Sequence, residues 1–242
     1  MGNLVQQVVD HSGLSVVELA SVSGIPKSNI YRYLSGQAEP TVDVLRELAM
    51  GAQLSLNLQV APLSEGEASR AARSFLGELD IPNHPETDQW IERIQRGSPT
   101  DADLVVRAGQ AANPLWRKGA RYFRGGPTTL AIASAGDISG GKWALSGAPV
   151  LEALGLAEVP VPTLLWCERP DESAQALSSS MREVPQPDGA QVIVLPAIHS
   201  ELEGARAVEG IWLVSVLQGL LDLAGLGAIP ASLVYDFLII KN

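Results

Sequence analysis

The spacing of apolar residues changes along this chain from a helical period to an alternating one, and the changes predict its elements. Up to about Gln53, apolar residues recur at intervals of three and four, which predicts a bundle of short helices. Over residues 54–60, leucine or valine alternates with a polar residue, which predicts a short strand that leaves the bundle. Pro62 ends this strand, so residues 1–62 are predicted to form the first domain.

Residues 63–127 are predicted to be a helical connecting segment. Helical patterns cover residues 64–79, 88–97 and 99–112, with Gly and Pro between them. Ser64 stands three residues before Glu67, which is the spacing of a capping box at the start of the first of these helices.

From residue 128 onward, predicted strands and helices alternate. Strands are predicted at residues 128–135, 142–147, 161–168 and 190–197, and helices at residues 148–156, 172–181 and 229–242, while residues 209–227 run from a strand into a helix. Such alternation predicts an α/β domain with a mixed sheet. The strands at 161–168 and 190–197 are apolar almost throughout, so we expect them to be central and covered on both faces.

Residues 15–48 have the pattern of a helix-turn-helix. Ser15 and Glu18 have the spacing of a capping box at the start of a helix. Ala20 is small enough for a second helix to cross closely. Gly24 follows four residues later and suits a tight turn, because glycine accepts a positive φ.

The second helix of this motif presents a polar face that suits the major groove of DNA. Five residues form this face: Lys27, Ser28, Asn29, Tyr31 and Arg32. Asn29 can pair with adenine, and Arg32 or Lys27 with guanine or a phosphate. Tyr31 can contact a phosphate or a thymine methyl group. The alternative interpretation is a small helical bundle that makes no contact with DNA. The segment resembles the Cro/repressor, or XRE, type of helix-turn-helix over roughly the first sixty residues, which implies DNA binding.

Charge is distributed unevenly along the chain. Residues 1–63 carry three Lys/Arg and five Asp/Glu, residues 64–124 carry nine of each, and residues 125–242 carry five and thirteen, for a net charge of −10. Net charge therefore does not assist the approach to DNA, and a homodimer would compensate by adding a second half-site contact. The acidic C-terminal part favours either a basic protein partner or a solvated face.

A basic and aromatic segment precedes the predicted α/β domain. Arg117, Lys118, Arg121 and Arg124 lie within eight residues and are interleaved with Trp116, Tyr122 and Phe123. Such a segment can contact a nucleic-acid backbone. Alternatively, it is a half-buried helix whose aromatic rings pack and whose arginines form surface ion pairs.

Several classes of protein are not indicated. No run of eighteen apolar residues predicts a membrane span, and the first residues lack the features of a signal peptide, so we expect a cytoplasmic protein. Cys167 is the single cysteine, which excludes an internal disulfide and a cysteine-rich metal site. The three histidines have no metal-binding spacing, and we predict neither a metal nor a cofactor.

No catalytic motif is complete. Gly136 to Lys142 has the glycines and lysine of a phosphate loop, but it is one residue short and Trp143 replaces the final Ser or Thr. Asp137, Glu152 and Glu168 are candidates for the acidic cluster of a metal-dependent nuclease, yet no Glu-x-Lys follows a strand. We therefore predict no catalytic residues and no enzyme.

The C-terminal part resembles AbiEi-type antitoxin regulators over roughly residues 100–242. The resemblance rests on a strand from Trp143 to Gly147 that feeds a helix ending at Leu156, and on the Leu-Asp-Leu helix at residues 221–223. Members of that family more often carry a winged DNA-binding head. The resemblance implies an antitoxin that represses its own operon and counteracts a nucleotidyltransferase-like toxin.

The sequence thus predicts an α+β protein with three segments, namely a helix-turn-helix domain at 1–62, a helical segment at 63–127 and an α/β domain at 128–242. The expected partners are double-stranded DNA, a second copy of the chain and a cognate toxin. Two alternatives stay open. A deep apolar pocket with a few polar groups would favour a ligand-responsive repressor. Carboxylates clustered around a metal would favour a nuclease targeted by its own DNA-binding head.

Overall fold

A computed structural model describes residues 3–81, 84–156 and 159–240. The chain forms two units, Met1–Ala61 and Pro62–Asn242. The described residues contain twelve α-helices and seven strands, which confirms the predicted α+β class. The first unit ends one residue before the predicted boundary, and the predicted connecting segment, residues 63–127, lies within the second unit.

Four helices form the first unit: α1 (Leu4–Ser12), α2 (Val16–Ser23), α3 (Lys27–Leu34) and α4 (Val42–Gly51). Each contributes one apolar side chain that is completely buried at the centre of the bundle, namely Val5, Leu19, Ile30 and Leu48. The helices are short, so their stability comes mainly from this shared core and not from helix propensity.

The prediction of a strand over residues 54–60 is wrong. Residues 54–65 have no regular secondary structure. Leu54 and Leu56 pack against the helical core of the first unit, whereas Leu58 and Val60 are exposed. Alternation of apolar and polar residues favours a strand only where a partner strand supplies backbone hydrogen bonds, and no described strand pairs with this segment.

The second unit is built around one mixed sheet of seven strands. The strands are β1 (Arg121–Arg124), β2 (Trp143–Gly147), β3 (Thr163–Cys167), β4 (Arg182–Val184), β5 (Val192–Pro196), β6 (Arg206–Val208) and β7 (Ile211–Leu213). Their spatial order is β4-β1-β5-β3-β2-β7-β6. The pairs β3–β5 and β2–β7 are parallel, and the other pairs are antiparallel. The mixed sheet is thus confirmed, and β3 and β5 are internal strands as predicted.

Helices cover both faces of this sheet. They are α5 (Gly66–Phe75), α6 (Pro85–Gln95), α7 (Asp101–Ala111), α8 (Thr129–Ile138), α9 (Ala148–Ala153), α10 (Pro170–Leu177), α11 (Val216–Gly225) and α12 (Ala231–Ile240). In β3, Leu164 and Trp166 point to the core shared with α7 and α11, while Leu165 and Cys167 point to the core shared with α8 and α10. This two-sided burial explains why the strand is apolar throughout.

Residues 128–135 form most of helix α8 and not the predicted strand. Thr128 caps the helix by accepting a hydrogen bond from the Ala131 amide at 3.2 Å. The buried residues are Ile132, Ala133, Ala135 and Gly136, which lie on one helical face. Because Gly136 lies directly against the ring of Trp143, a β-carbon there would come within 2.4 Å of the ring. A run of small apolar residues does not distinguish a buried helix from a strand.

Two other local predictions also fail. Ser64 does not cap α5, because its hydroxyl donates instead to the Asn113 carbonyl at 2.6 Å and Glu65 occupies the N-cap position. The half-buried helix considered for the basic segment is not formed. A 3-10 turn at Pro114–Trp116 leads into β1, where Phe123 is completely buried in the core of the sheet.

Arg73, on α5, is completely buried. Its guanidinium donates to the Gln218 side chain at 3.1 Å and to the backbone carbonyls of Ser200 and Glu203, and it forms an ion pair with Glu78. Arg73 thereby connects α5 to α11 and to the loop before β6. A buried arginine is tolerated because nearly all of its donors are satisfied.

Asp222, on α11, is also buried. Its carboxylate accepts hydrogen bonds from the Trp166 indole and from the Gln218 amide, both at 2.9 Å. Burial raises the pKa of Asp222 to about 6, and these two hydrogen bonds oppose the rise. Arg73, Trp166, Gln218 and Asp222 together are called the interior polar cluster below.

Candidate nucleic-acid interface

The turn between α2 and α3 has the geometry that the sequence predicts. The Ser15 hydroxyl accepts from the Glu18 amide at 3.3 Å, and the Glu18 carboxylate accepts from the Ser15 amide at 2.9 Å. The Ser15 hydroxyl also donates to the Glu18 carboxylate at 2.6 Å, and this bond, together with the one from the Ser15 amide, holds the pKa of Glu18 below its usual range. Gly24 ends α2 with a φ of 72°, and its amide donates to the Ala20 carbonyl at 3.1 Å. The left-handed conformation at Gly24 is the reason that glycine is favoured there.

Helix α3 is anchored from two directions. Ile30 is completely buried in the bundle core. Asn3, just before α1, uses its side-chain oxygen to cap α1 at the Val5 amide and its side-chain nitrogen to donate to the Tyr33 carbonyl at the end of α3. The sequence analysis missed this role, although an Asn directly before an apolar helical pattern is a recognised N-cap signal.

The five residues predicted to read DNA lie together on the outer side of α3. Lys27, Ser28, Tyr31 and Arg32 are exposed, and Asn29 is half-buried. Lys27 and Tyr31, like Ser28 and Arg32, are four positions apart and are therefore neighbours on the helix surface. No side chain caps the N-terminus of α3, so amide groups there are available to a phosphate. Contacts of these residues with DNA stay predictions.

Positive charge in the first unit is concentrated on α3. Residues 1–61 contain three Lys/Arg, and two of them are Lys27 and Arg32. Neither side chain forms an ion pair within the described residues. The third, Arg46 on α4, lies 3.5 Å from the Asp43 carboxylate. The acidic unit therefore presents a locally basic helix, which is the arrangement that phosphate contact requires.

Comparison with known proteins agrees with this geometry. Residues 5–58 match the helix-turn-helix family model. The match spans α2, α3, α4 and nearly all of α1, and this XRE type of helix-turn-helix supports a DNA-binding transcriptional regulator. No curated protein and no solved structure matches the chain.

Outside the helix-turn-helix, the arginines of the basic segment have protein partners. Arg117 has only 4% of its side chain exposed, lies 3.5 Å from Glu201 and stacks over the Trp166 ring at 5.2 Å. Arg121 donates two hydrogen bonds of 2.7 Å to Glu183, which raise the pKa of Arg121 above its usual range. Burial makes Arg117 unavailable to a phosphate, contrary to the prediction for that residue.

Two basic residues of this segment remain on the surface. Arg124, at the end of β1, is exposed and donates to the backbone carbonyl of Asp188. Lys118 is exposed, and its ammonium group has no ion pair or hydrogen bond among the described residues. Of the four basic residues predicted to contact the DNA backbone, Lys118 is thus the least constrained by protein contacts.

The acidic residues considered for a nuclease have separate roles. Asp137 accepts a hydrogen bond from the Trp143 indole at 2.9 Å, and Glu168 accepts one from the Lys142 amide at 3.0 Å. In the part of the chain that the structure describes, no group of three His, Cys, Asp or Glu side chains is placed to hold a metal ion. Within the same residues, no helix is both long and apolar enough to cross a membrane.

Proposed function

We propose that this protein represses transcription of its own operon as a homodimer and acts as the antitoxin of a nucleotidyltransferase-like toxin. The exposed polar face of α3 carries the DNA-binding part of the proposal. That face holds Lys27 and Arg32, both without ion pairs among the described residues, in a unit that otherwise has little positive charge.

A homodimer is supported by the size of the DNA-binding unit. One helix-turn-helix offers a single recognition helix of eight residues, Lys27–Leu34. Repressors of this kind gain affinity and specificity by placing two such helices in half-sites one helical turn apart. The need is greater for a chain with a net charge of −10, because non-specific attraction to DNA is weak.

The second unit acts by binding a protein partner and not by catalysis. It carries fourteen Lys/Arg and twenty-two Asp/Glu, a net charge of −8, which suits a basic partner surface better than a nucleic acid. The antitoxin assignment is also supported by β2, Trp143–Gly147, which leads directly into α9 as the resemblance to AbiEi-type regulators implies.

A reporter driven by the protein's own upstream region tests the repressor. We expect wild type to repress it, the double variant Asn29→Ala/Arg32→Ala to lose repression, and Arg46→Ala to repress normally. Arg46 is a matched control because it is an exposed arginine of the same unit, on α4 instead of α3. If the double variant, folded and equally abundant, represses at the wild-type level, α3 is not the recognition helix.

A growth assay tests the antitoxin. The full chain is co-expressed with the adjacent reading frame, and both wild type and the Asn29→Ala/Arg32→Ala variant should restore growth, because neutralisation is assigned to the second unit. Toxicity that persists beside abundant wild-type protein would contradict the antitoxin role. Cleavage of nucleic acid by the purified protein with Mg²⁺ would favour the nuclease instead.

A further inference from the structure

Two adjoining pockets lie in the second unit where the parallel strands β3 and β5 end. β3 ends at Cys167 and β5 at Pro196, and the Ala197 amide donates to the Cys167 carbonyl at 2.9 Å. The antiparallel strand β2 begins at the same edge, with Lys142 just before it. Crevices at the carboxyl ends of parallel strands are the usual place for ligands in open α/β sheets.

The first pocket is apolar and has a volume of about 350 Å³. Its lining includes Trp212, Leu202 and Ala205 together with Gly141, Lys142 and Trp143. The Trp143 indole packs against Gly136 and donates to Asp137 on the other face of the sheet, so the ring that faces this pocket is that of Trp212. Trp212, on β7, is 46% exposed, although tryptophan is one of the most apolar surfaces a protein can bury. This pocket suits a flat apolar group.

The second pocket is polar, has a volume of about 250 Å³ and shares Lys142 and Leu202 with the first. Three charged side chains remain available in it, namely Lys142, Glu168 and the exposed Glu203. Lys142 has no side-chain partner among the described residues, and Glu168 uses one carboxylate oxygen to accept from the Lys142 amide. Two further lining groups are engaged by protein partners. His199 lies 3.0 Å from Glu67, and Glu201 is paired with the buried Arg117.

We propose that these two pockets form one binding site for a free α-amino acid with a large apolar side chain. The apolar side chain lies against Trp212, Leu202 and Ala205, the carboxylate pairs with the Lys142 ammonium, and the ligand ammonium pairs with Glu168. The shared lining residues Lys142 and Leu202 place the charged head and the apolar body within the reach of one small molecule. The combined site lies in the size range of small-molecule pockets.

Calorimetry on the full chain without DNA tests the site, with L-tryptophan and L-phenylalanine as the probes. Phenethylamine lacks the carboxylate, 3-phenylpropionate lacks the ammonium and glycine lacks the apolar group. We expect saturable binding of at least one aromatic amino acid and about tenfold or greater weakening with each of the three deletion probes, because each loses a charge-assisted pair or the buried ring. Absence of saturable binding by both aromatic amino acids overturns the proposal.

Variants then locate the site. Trp212→Ala is expected to weaken binding by about two- to tenfold through loss of ring contact. Lys142→Met is expected to weaken binding of the amino acid but to leave binding of phenethylamine unchanged. Trp116→Ala is the matched control, since Trp116 is 41% exposed and lines a different pocket. Binding unchanged in both Trp212→Ala and Lys142→Met places the ligand elsewhere and overturns the proposal.

The amino-acid site does not depend on the proposed function. Binding is measured with neither DNA nor toxin present, so failure of the repressor or antitoxin assays leaves the result intact. Conversely, loss of amino-acid binding in Lys142→Met with normal repression would separate the two activities.

Discussion

Replacement of Arg73 by methionine tests whether the interior polar cluster stabilises the second unit. Methionine keeps most of the length of the side chain and is apolar, so the space that Arg73 occupies remains largely filled. What is lost is a guanidinium that contacts Gln218, Glu78 and two backbone carbonyls. The carbonyls of Ser200 and Glu203 then lose this donor.

The expected cost follows from the burial of these groups. Arg73 is 0% exposed and Glu78 has 14% of its side chain exposed, so water replaces the lost contacts poorly. Breaking a buried ion pair by removing one partner typically costs about 3–5 kcal/mol. With a urea m-value of about 1–3 kcal/mol/M, the unfolding midpoint of the second unit should fall by about 1–5 M.

Tryptophan fluorescence measures this loss in the second unit alone. All five tryptophans lie within residues 62–242, so urea unfolding followed by their emission does not report on the helix-turn-helix unit. Arg107→Met is the matched control, because Arg107 is exposed on α7 and has no ion pair or hydrogen bond among the described residues. The free energy of unfolding of the Arg107→Met variant should stay within about 0.5 kcal/mol of the wild-type value.

The reasoning is refuted if Arg73→Met and Arg107→Met unfold at the same urea concentration as wild type. That result would mean that the cost of desolvating Arg73 cancels all of its contacts. Should Arg73→Met fail to fold, Arg73→Lys provides the measurement. Lysine keeps the charge but not the planar fork of donors, so its midpoint should lie below wild type.

Three further predictions concern DNA and pH. Arg32→Ala should weaken specific operator binding about 5- to 150-fold in fluorescence anisotropy, the range of one good base contact, with Arg46→Ala close to wild type; equal affinities would contradict base readout by Arg32. Lys118→Gln should lower the magnitude of the salt slope of DNA binding by at most about 0.9, the share of one phosphate, and a larger change would mean that the arginines near it also bind phosphates. Burial raises the pKa of Asp222 from 3.8 to about 6, so the folded state favours the protonated carboxyl more than the unfolded state does. This difference stabilises the folded state at low pH, and the stabilisation is lost as the pH rises from about 4 to above 6. Relative to Asp222→Asn, wild type should therefore lose about 2 kcal/mol between pH 4 and pH 7 in urea unfolding, and parallel pH profiles would contradict the shift.

The helix-turn-helix was predictable because its signals are local. The Ser15–Glu18 cap, the left-handed Gly24 and the buried Ile30 act within one or two turns of chain, and the structure places each as expected. The apolar strands at 161–168 and 190–197 were equally clear, since β3 and β5 are covered on both faces.

The failures have a common physical origin in contacts that are distant in sequence. Residues 54–60 alternate like a strand but find no described partner, and residues 128–135 belong to α8, whose buried side chains share a core with Trp143 from a different strand. Likewise, no local pattern marks Arg117 as buried, because its partner Glu201 and the Trp166 ring come from other strands and loops.

Sequence by itself determined the DNA-binding unit, the α+β class and the polar face of α3, because helix caps, turns and amphipathic faces depend on neighbours within a few residues. Tertiary structure alone decided the strand order, the interior polar cluster and the pockets beside Lys142. Arg73 and Gln218 are separated by 145 positions, and Trp166 and Asp222 by 56. Whether such charges are solvated or buried depends on which distant segments fold against them, and that information is not carried by any local pattern.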